Sequence, residues 1–323
     1  MTKQVEQKPD GLKAAADRVL DTFYMPKNKV LKSLKKSFKE ECEDLPAPLK
    51  GAVDAFVSNI ESAMHSASVP HSLTHAHTVQ RIFDRFHMAE RIRALKKVSA
   101  DGELTVELER EAYVTASAKM REFEKSVEGI AEIRNAVVSS LAELSEVEHL
   151  LGAQELLSNT IVMICGAFEA FVSDALTVFL NLTPKLASAL LSDDKTKKRF
   201  SGRFSIEAVE SCGFDVSGSM GNLLLGEHGI GSLSDIKDVF RALFPTHSDL
   251  HATMKKDGLW LLWQRRHLLV HKRGLVDAAY LKQTGDKQPV GERLRISASH
   301  LEEIFGLVSD AGVQFVRALK SAS

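Results

Sequence analysis

The sequence predicts an all-α protein: a bundle of four to five helices over residues 150–323, preceded by a helical extension over residues 1–149. Three observations lead there. Apolar residues recur every three or four positions along nearly the whole chain, the spacing that lines one face of an α-helix. No run alternates apolar and polar residues as a half-buried strand would. The 8 prolines fall mostly at segment edges, where helices tolerate them.

In chain order, helices are expected at 10–24, 28–42, 47–66 and 73–98, separated by Pro26, by Pro46 and Pro48, and by Pro70. Met120, Phe123, Val127, Ile130, Ile133, Val137, Leu141 and Leu144 then form one seam with Glu, Lys and Arg between them, predicting a single long amphipathic helix. Such a seam packs either on a neighbouring helix of the same chain or on another protomer. A second long helix from Ala153 grows apolar after Ile161 and stops at Leu182, before Pro184, as the central helix of a bundle would. SDDKTKKRFSGRF (192–204) and VSGSMGNLLLGEHGIGSLSD (216–235) are polar or rich in Gly and Ser and read as loops. Helical patterns return at 232–243, 250–273 and 297–319.

Composition narrows the setting. The 323 residues are 44% hydrophobic, enough for a real core. Lys plus Arg (42) and Asp plus Glu (43) leave a net charge of -1, so any polyanion site must be local. Cys42, Cys165 and Cys212 are too scattered for a disulfide framework or a zinc knuckle, which makes a reducing cytoplasm the expected location. The opening MTKQVEQKPDGLK lacks the apolar stretch of a signal peptide, and Glu169 and Asp174 interrupt the most apolar segment. No membrane partner is expected.

The stretch QRRHLLVHKRGLVDAAY (264–280) carries the chemistry. On a wheel at about 100° per residue, Leu259, Leu262, Trp263, Leu269 and Val270 share one face with Arg266 at its centre. A guanidinium facing a core is costly unless it is paired or lines a wet groove. His267 and His271, four residues apart, stack one above the other on the flank of that face. Imidazoles move protons near neutral pH, and an arginine fork holds phosphoryl oxygens and stabilises their developing charge. Arg266 and His271 lie about 140° apart on an ideal helix and converge only where the helix ends, which Gly274 predicts through a left-handed cap. A second reading stays open: cations at a helix C-terminus complement its dipole, and Arg266 binds a core carboxylate.

At these residues the chain resembles the HEPN superfamily of helical domains. The family motif, an arginine, then a polar residue, then a histidine after four to six positions, is matched by Arg266, His267 and His271. His267 stands where asparagine is more frequent. The continuation through Gly274, Val276, Asp277 and Tyr280 resembles the H-x-x-G-x-V-D-x-x-Y run of bacterial members, and Phe168-Glu169-Ala170-Phe171 resembles an early-helix motif. The resemblance spans about 150–320. It implies a metal-independent endoribonuclease without cofactors, built as a homodimer whose protomers join their motifs in one cleft. His271 would be the acid-base residue for attack of a ribose 2′-hydroxyl on the adjacent phosphate. Arg266 would stabilise the phosphorane, and His267 would orient them. RNA would be the substrate, Arg265, Lys272 and Arg273 adding contacts, in a bacterial defence or toxin setting with an antitoxin or trigger protein. Some relatives serve only as RNA-, nucleotide- or protein-binding and dimerisation modules, the alternative kept here.

Other stretches carry weaker signals. Lys195, Lys197, Lys198, Arg199 and Arg203, interleaved with Phe200 and Phe204, make either a solvated loop or one that meets phosphates and stacks on bases. Lys27, Lys29, Lys32, Lys35, Lys36 and Lys39 share one helix with apolar residues and read as its solvated face or a polyanion contact. His71 and His75 have helical metal-ligand spacing, but no cysteine and no H-E-x-x-H pattern accompanies them, so no metal site is expected. GEHGIG (226–231) fits no phosphate-binding loop, and Cys165 reads as a core residue.

Overall fold

The computed structural model describes residues 9–26, 28–96, 98, 104–144, 147–200, 206–226 and 230–322. Among them every regular element is helical, apart from one isolated antiparallel bridge between Leu275 and Arg293. The longer helices of the first half are α1 (Pro9–Thr22), α2 (Asn28–Glu41), α3 (Ala47–Leu95), α4 (Val106–Phe123), α5 (Val127–Glu143) and α6 (Val147–Leu182). After α6 come α7 (Ala187–Ser192), α8 (Asp194–Phe200), α9 (Ile206–Ser211), α10 (Met220–Leu225) and α11 (Leu233–Leu243). The chain finishes with α12 (Ser248–Met254), α13 (Asp257–Lys272), α14 (Ala278–Thr284) and α15 (Leu301–Ala322).

Two compact units divide these helices, one formed by Met1–Met25 and Ala67–Gln154, the other by Pro26–Ser66 and Glu155–Ser323. In the first, α1 packs on α5, and Val19, Phe23, Ile82, Met120, Ile133, Val137 and Leu141 make the core. The single helix expected over 120–144 is broken into α4 and α5. Ser126 causes the break: its hydroxyl accepts the N–H of Gly129 at 2.9 Å and caps α5. A Cβ at Gly129 would lie 1.8 Å from the carbonyl oxygen of Phe123, so glycine is what lets the chain reverse there. The turn also resets the seam, burying Met120, Ile133, Val137 and Leu141 and leaving Val127 and Ile130 exposed.

The break expected at Pro70 is absent, since α3 runs through it. A proline inside a helix costs about 3 kcal/mol. Burial of Ala63, Met64, Ala67 and Ser68 on the two turns before it offsets that, and Thr74 donates its hydroxyl to the Pro70 carbonyl at 2.8 Å.

The second unit is built around α6. Phe168, Phe171 and Phe179 on that helix are buried with Phe38, Phe56, Phe240, Phe244 and Phe315. Phe56 stacks on Phe171 with ring centroids 4.6 Å apart, and Phe240 on Phe315 at 4.7 Å. A Cβ at Gly312 of α15 would meet Phe56 at 2.8 Å and Phe38 at 2.9 Å, so these aromatic rings sit directly on the α15 backbone. The division expected at 149/150 therefore differs from the observed one: residues 26–66 complete the core of the C-terminal bundle. By length and composition α6 could cross a membrane, yet its Ile161, Phe168, Val172, Leu176 and Leu180 are buried in this core.

Both expected loops contain helix, namely α8 in the first and α10 in the second. The α10 N-terminus is seated on α6 by Asn181, whose Oδ1 accepts the N–H groups of Gly221 (2.7 Å) and Asn222 (3.3 Å). The helix expected over 250–273 is interrupted at Lys255 and Lys256, giving α12 and α13.

Candidate functional site

Helix α13 packs on α15 and α14 and buries Leu259, Leu262, Trp263 and Leu268. Val270, expected on this face, is exposed, and Leu269 is half-buried. Arg266 sits on the margin of the buried face and is paired: its Nη2 donates to Glu169 Oε2 on α6 at 2.8 Å. The other oxygen, Oε1, accepts the indole N–H of Trp263 at 3.0 Å. One carboxylate thus fixes two residues that lie one turn apart on α13. The side chains of Arg266 and Glu169 are 27% and 12% exposed, so the pair is shielded but not dry. Burial raises the Glu169 pKa, while the indole hydrogen bond and the Arg266 charge pull it back. Arg266 Nε is buried without an acceptor among the described residues, leaving the guanidinium partly satisfied. Cys165, one turn before Glu169, is fully buried, and that burial pushes its thiol pKa up, which makes it a core residue rather than a nucleophile.

His267 and His271 face outward and are exposed, with ring centroids 4.7 Å apart and planes at 47°. The left-handed cap expected at Gly274 begins one residue earlier, at Arg273, with φ 54°; Gly274 follows with φ 73°. The Leu268 carbonyl accepts the N–H groups of both. Because α13 stays helical through Lys272, Arg266 and His271 do not converge: they remain about 140° and about 7.5 Å apart along the axis. The structure therefore brings together two sets, the exposed imidazole pair and the Arg266–Glu169–Trp263 cluster, on adjoining sides of one helix.

The run from Gly274 to Tyr280 anchors this helix end. Gly274 and Val276 exchange backbone hydrogen bonds with Gly291, Glu292 and Leu294, at 2.7–2.9 Å. Asp277 caps α14 by accepting the Tyr280 N–H at 2.8 Å and also accepts from Lys272 Nζ. Tyr280 is buried and donates its hydroxyl to Asp286 at 2.9 Å, and Arg265 pairs with the same carboxylate at 3.6 Å. Burial is the main cause of the raised Tyr280 pKa. Of the expected RNA contacts on α13, Arg265 and Lys272 are thus held by carboxylates, and Arg273 is exposed.

The basic stretch behaves differently from a flexible loop. Lys197 and Lys198 project from α8 and are exposed, whereas Arg199 pairs with Asp235 at 2.8 Å and Lys195 with Asp238 at 3.6 Å. Phe200 is 1% exposed and belongs to the core, so it offers no face for stacking on a base. Gly202, Arg203, Phe204, residues 227–229 of GEHGIG and Lys27 lie outside the described residues. On α2, Lys35 pairs with Glu61 at 2.8 Å. The His71 and His75 rings lie 6.1 Å apart on α3, and burial, then the His75 charge, lowers the His71 pKa. Among the described residues no three His, Cys, Asp or Glu side chains converge on a metal site.

Sequence reasoning missed Glu169 as the partner of Arg266, although its signal was present as a carboxylate in an otherwise apolar segment, where an unpaired charge is disfavoured. The chain matches no family model, no curated protein and no solved structure.

Proposed function

We propose that this chain is a metal-independent endoribonuclease of the HEPN type, working in the cytoplasm as a homodimer in a bacterial defence or toxin setting. The observation that carries the reading is the exposed His267–His271 pair, 4.7 Å apart at the end of a helix whose neighbouring arginine is held in a fixed pose by Glu169 and Trp263. A pair of imidazoles at that spacing supplies a base and an acid to one phosphodiester. His271 takes the proton of the ribose 2′-hydroxyl as its oxygen attacks phosphorus. The P–O5′ bond breaks, and the departing oxygen takes up a proton from His267, which acts here as the acid rather than in the orienting role the resemblance implies. The products are a 2′,3′-cyclic phosphate and a 5′-hydroxyl. Because Arg266 and His271 of one protomer do not converge, the Arg266 that balances charge on the phosphorane comes from the second protomer's motif, with Arg273 beside it.

A second reading, a non-catalytic RNA-, nucleotide- or protein-binding and dimerisation module, is favoured by a specific observation: Arg265, Arg266 and Lys272 are each already matched with a carboxylate. Cleavage of a mixed RNA substrate in EDTA by wild type, Arg266→Ala and His271→Ala separates the two. Cyclic-phosphate ends from wild type alone support the nuclease, whereas equal inactivity with unchanged RNA binding supports the module. A strict monomer by solution mass at micromolar concentration would count against the shared cleft, and copurification from the native host tests for an antitoxin or trigger protein.

A further inference from the structure

We propose that His267 and His271 form a two-imidazole site for a nitrogen-seeking transition-metal ion such as Ni²⁺, Cu²⁺ or Zn²⁺ on the last exposed turn of α13. The i,i+4 spacing places both rings on one face, and their centroids are 4.7 Å apart. Metal–imidazole bonds of about 2.0–2.1 Å require the two ligating nitrogens to come within about 3 Å of each other. Rotation about the soft χ2 torsion brings them there without moving the backbone.

Neither ring is otherwise engaged by a hydrogen bond or ion pair among the described residues. His251, by contrast, shares its Nε2 with the Phe244 carbonyl at 2.9 Å, and His87 lies 3.6 Å from Glu109. The electrostatics also suit a cation, despite the basic sequence. Arg265, Arg266 and Lys272 are matched by Asp286, Glu169 and Asp277, Arg273 lies exposed past the helix end, and the negative end of the α13 dipole facing the pair opposes its charge. With two nitrogens and no free carboxylate, the site selects borderline ions over Mg²⁺ or Ca²⁺, and Ni²⁺ and Cu²⁺ over Mn²⁺ or Fe²⁺. The His71–His75 pair shares the spacing, but its rings are 6.1 Å apart and His71 is half-buried.

If the nuclease reading holds, a bound ion occupies the lone pair that His271 uses to accept a proton, so the ion is an inhibitor that EDTA removes. The binding itself does not rest on that reading and is measured without RNA. Calorimetric titration of the full chain with NiCl₂ is expected to give one tight equivalent. His267→Ala and His271→Ala should each weaken it by at least about tenfold, the smallest loss seen even for a ligand's own hydrogen-bond partner. His71→Ala should leave it unchanged. Both substituted positions are exposed and alanine is the best helix former, so circular dichroism should report intact helices. Lowering the pH should release the ion as protons compete for the rings. Absence of Ni²⁺ binding to wild type, or survival of the tight equivalent in the His267→Ala/His271→Ala double variant, overturns the proposal.

Discussion

The pairing of Arg266 with Glu169 makes the sharpest energetic prediction. Removing one partner of a fully buried ion pair costs about 3–5 kcal/mol, because the survivor is left charged and poorly solvated. Here Arg266 keeps 27% of its side-chain surface, so water recovers part of that loss. Glu169→Met also deprives the Trp263 indole of its acceptor, a net loss of about 1 kcal/mol. Together these give about 2–3 kcal/mol for Glu169→Met. Replacing both residues, Glu169→Met with Arg266→Met, removes the stranded charge, so the double variant should be more stable than Glu169→Met alone, with a coupling of about 1–2 kcal/mol. Both tryptophans of the chain, Trp260 and Trp263, belong to the second unit. Urea unfolding followed by their emission therefore reads that unit alone. A coupling below about 0.5 kcal/mol, or a double variant no more stable than Glu169→Met alone, would refute the charge argument.

Three further outcomes are expected. Gly221→Ala places a Cβ 1.9 Å from the Thr177 carbonyl oxygen, forces α10 off α6 and costs about 3 kcal/mol in the same urea experiment. Phe56→Ala removes a ring packed on Phe38, Phe168 and Phe171 and costs about 4 kcal/mol, and a 150–323 fragment lacking that ring should bind a hydrophobic dye and fail to give a cooperative melt. Lys272, then the Tyr280 N–H, holds the Asp277 carboxyl below its ordinary pKa. A depressed folded-state value means stability that is present above the unfolded pKa and lost as the pH falls through the folded one, so melting temperatures of Asp277→Asn should change less on acidification than those of wild type.

The helical class and most helix cores were legible because the 3.6-residue period survives wherever one face is buried. Helix ends were not, where a single residue decides them. Ser126 and Gly129 together reverse the chain, while Pro70 alone does not, because packing of the turns before it outweighs one missing hydrogen bond. In the candidate site, the side-by-side placement of His267 and His271 followed from spacing, which helix geometry fixes. The engagement of Arg266, Arg265 and Lys272 did not, since their partners Glu169, Asp286 and Asp277 come from elsewhere in the chain or across a turn. Phe200 shows the same limit: an aromatic among lysines has no local cue to say which side of a short helix will face the core.

The division of the chain into interleaved units has a consequence for synthesis. Phe38 and Phe56 pack on each other and leave the ribosome long before Phe171, the partner of Phe56 on α6. At about 5–20 residues per second, Phe56 waits roughly 6–23 s for Phe171 to be made, with the whole 67–154 segment appearing in between. During that interval the aromatic face of α2 and early α3 is uncovered, and it can be closed only by a contact spanning that segment. A first unit that folds as it emerges draws the ends of that span nearer and shortens the search. The second unit, although its first residues are made early, is therefore completed last, when α15 brings Gly312 to the waiting rings and Phe315 to Phe171.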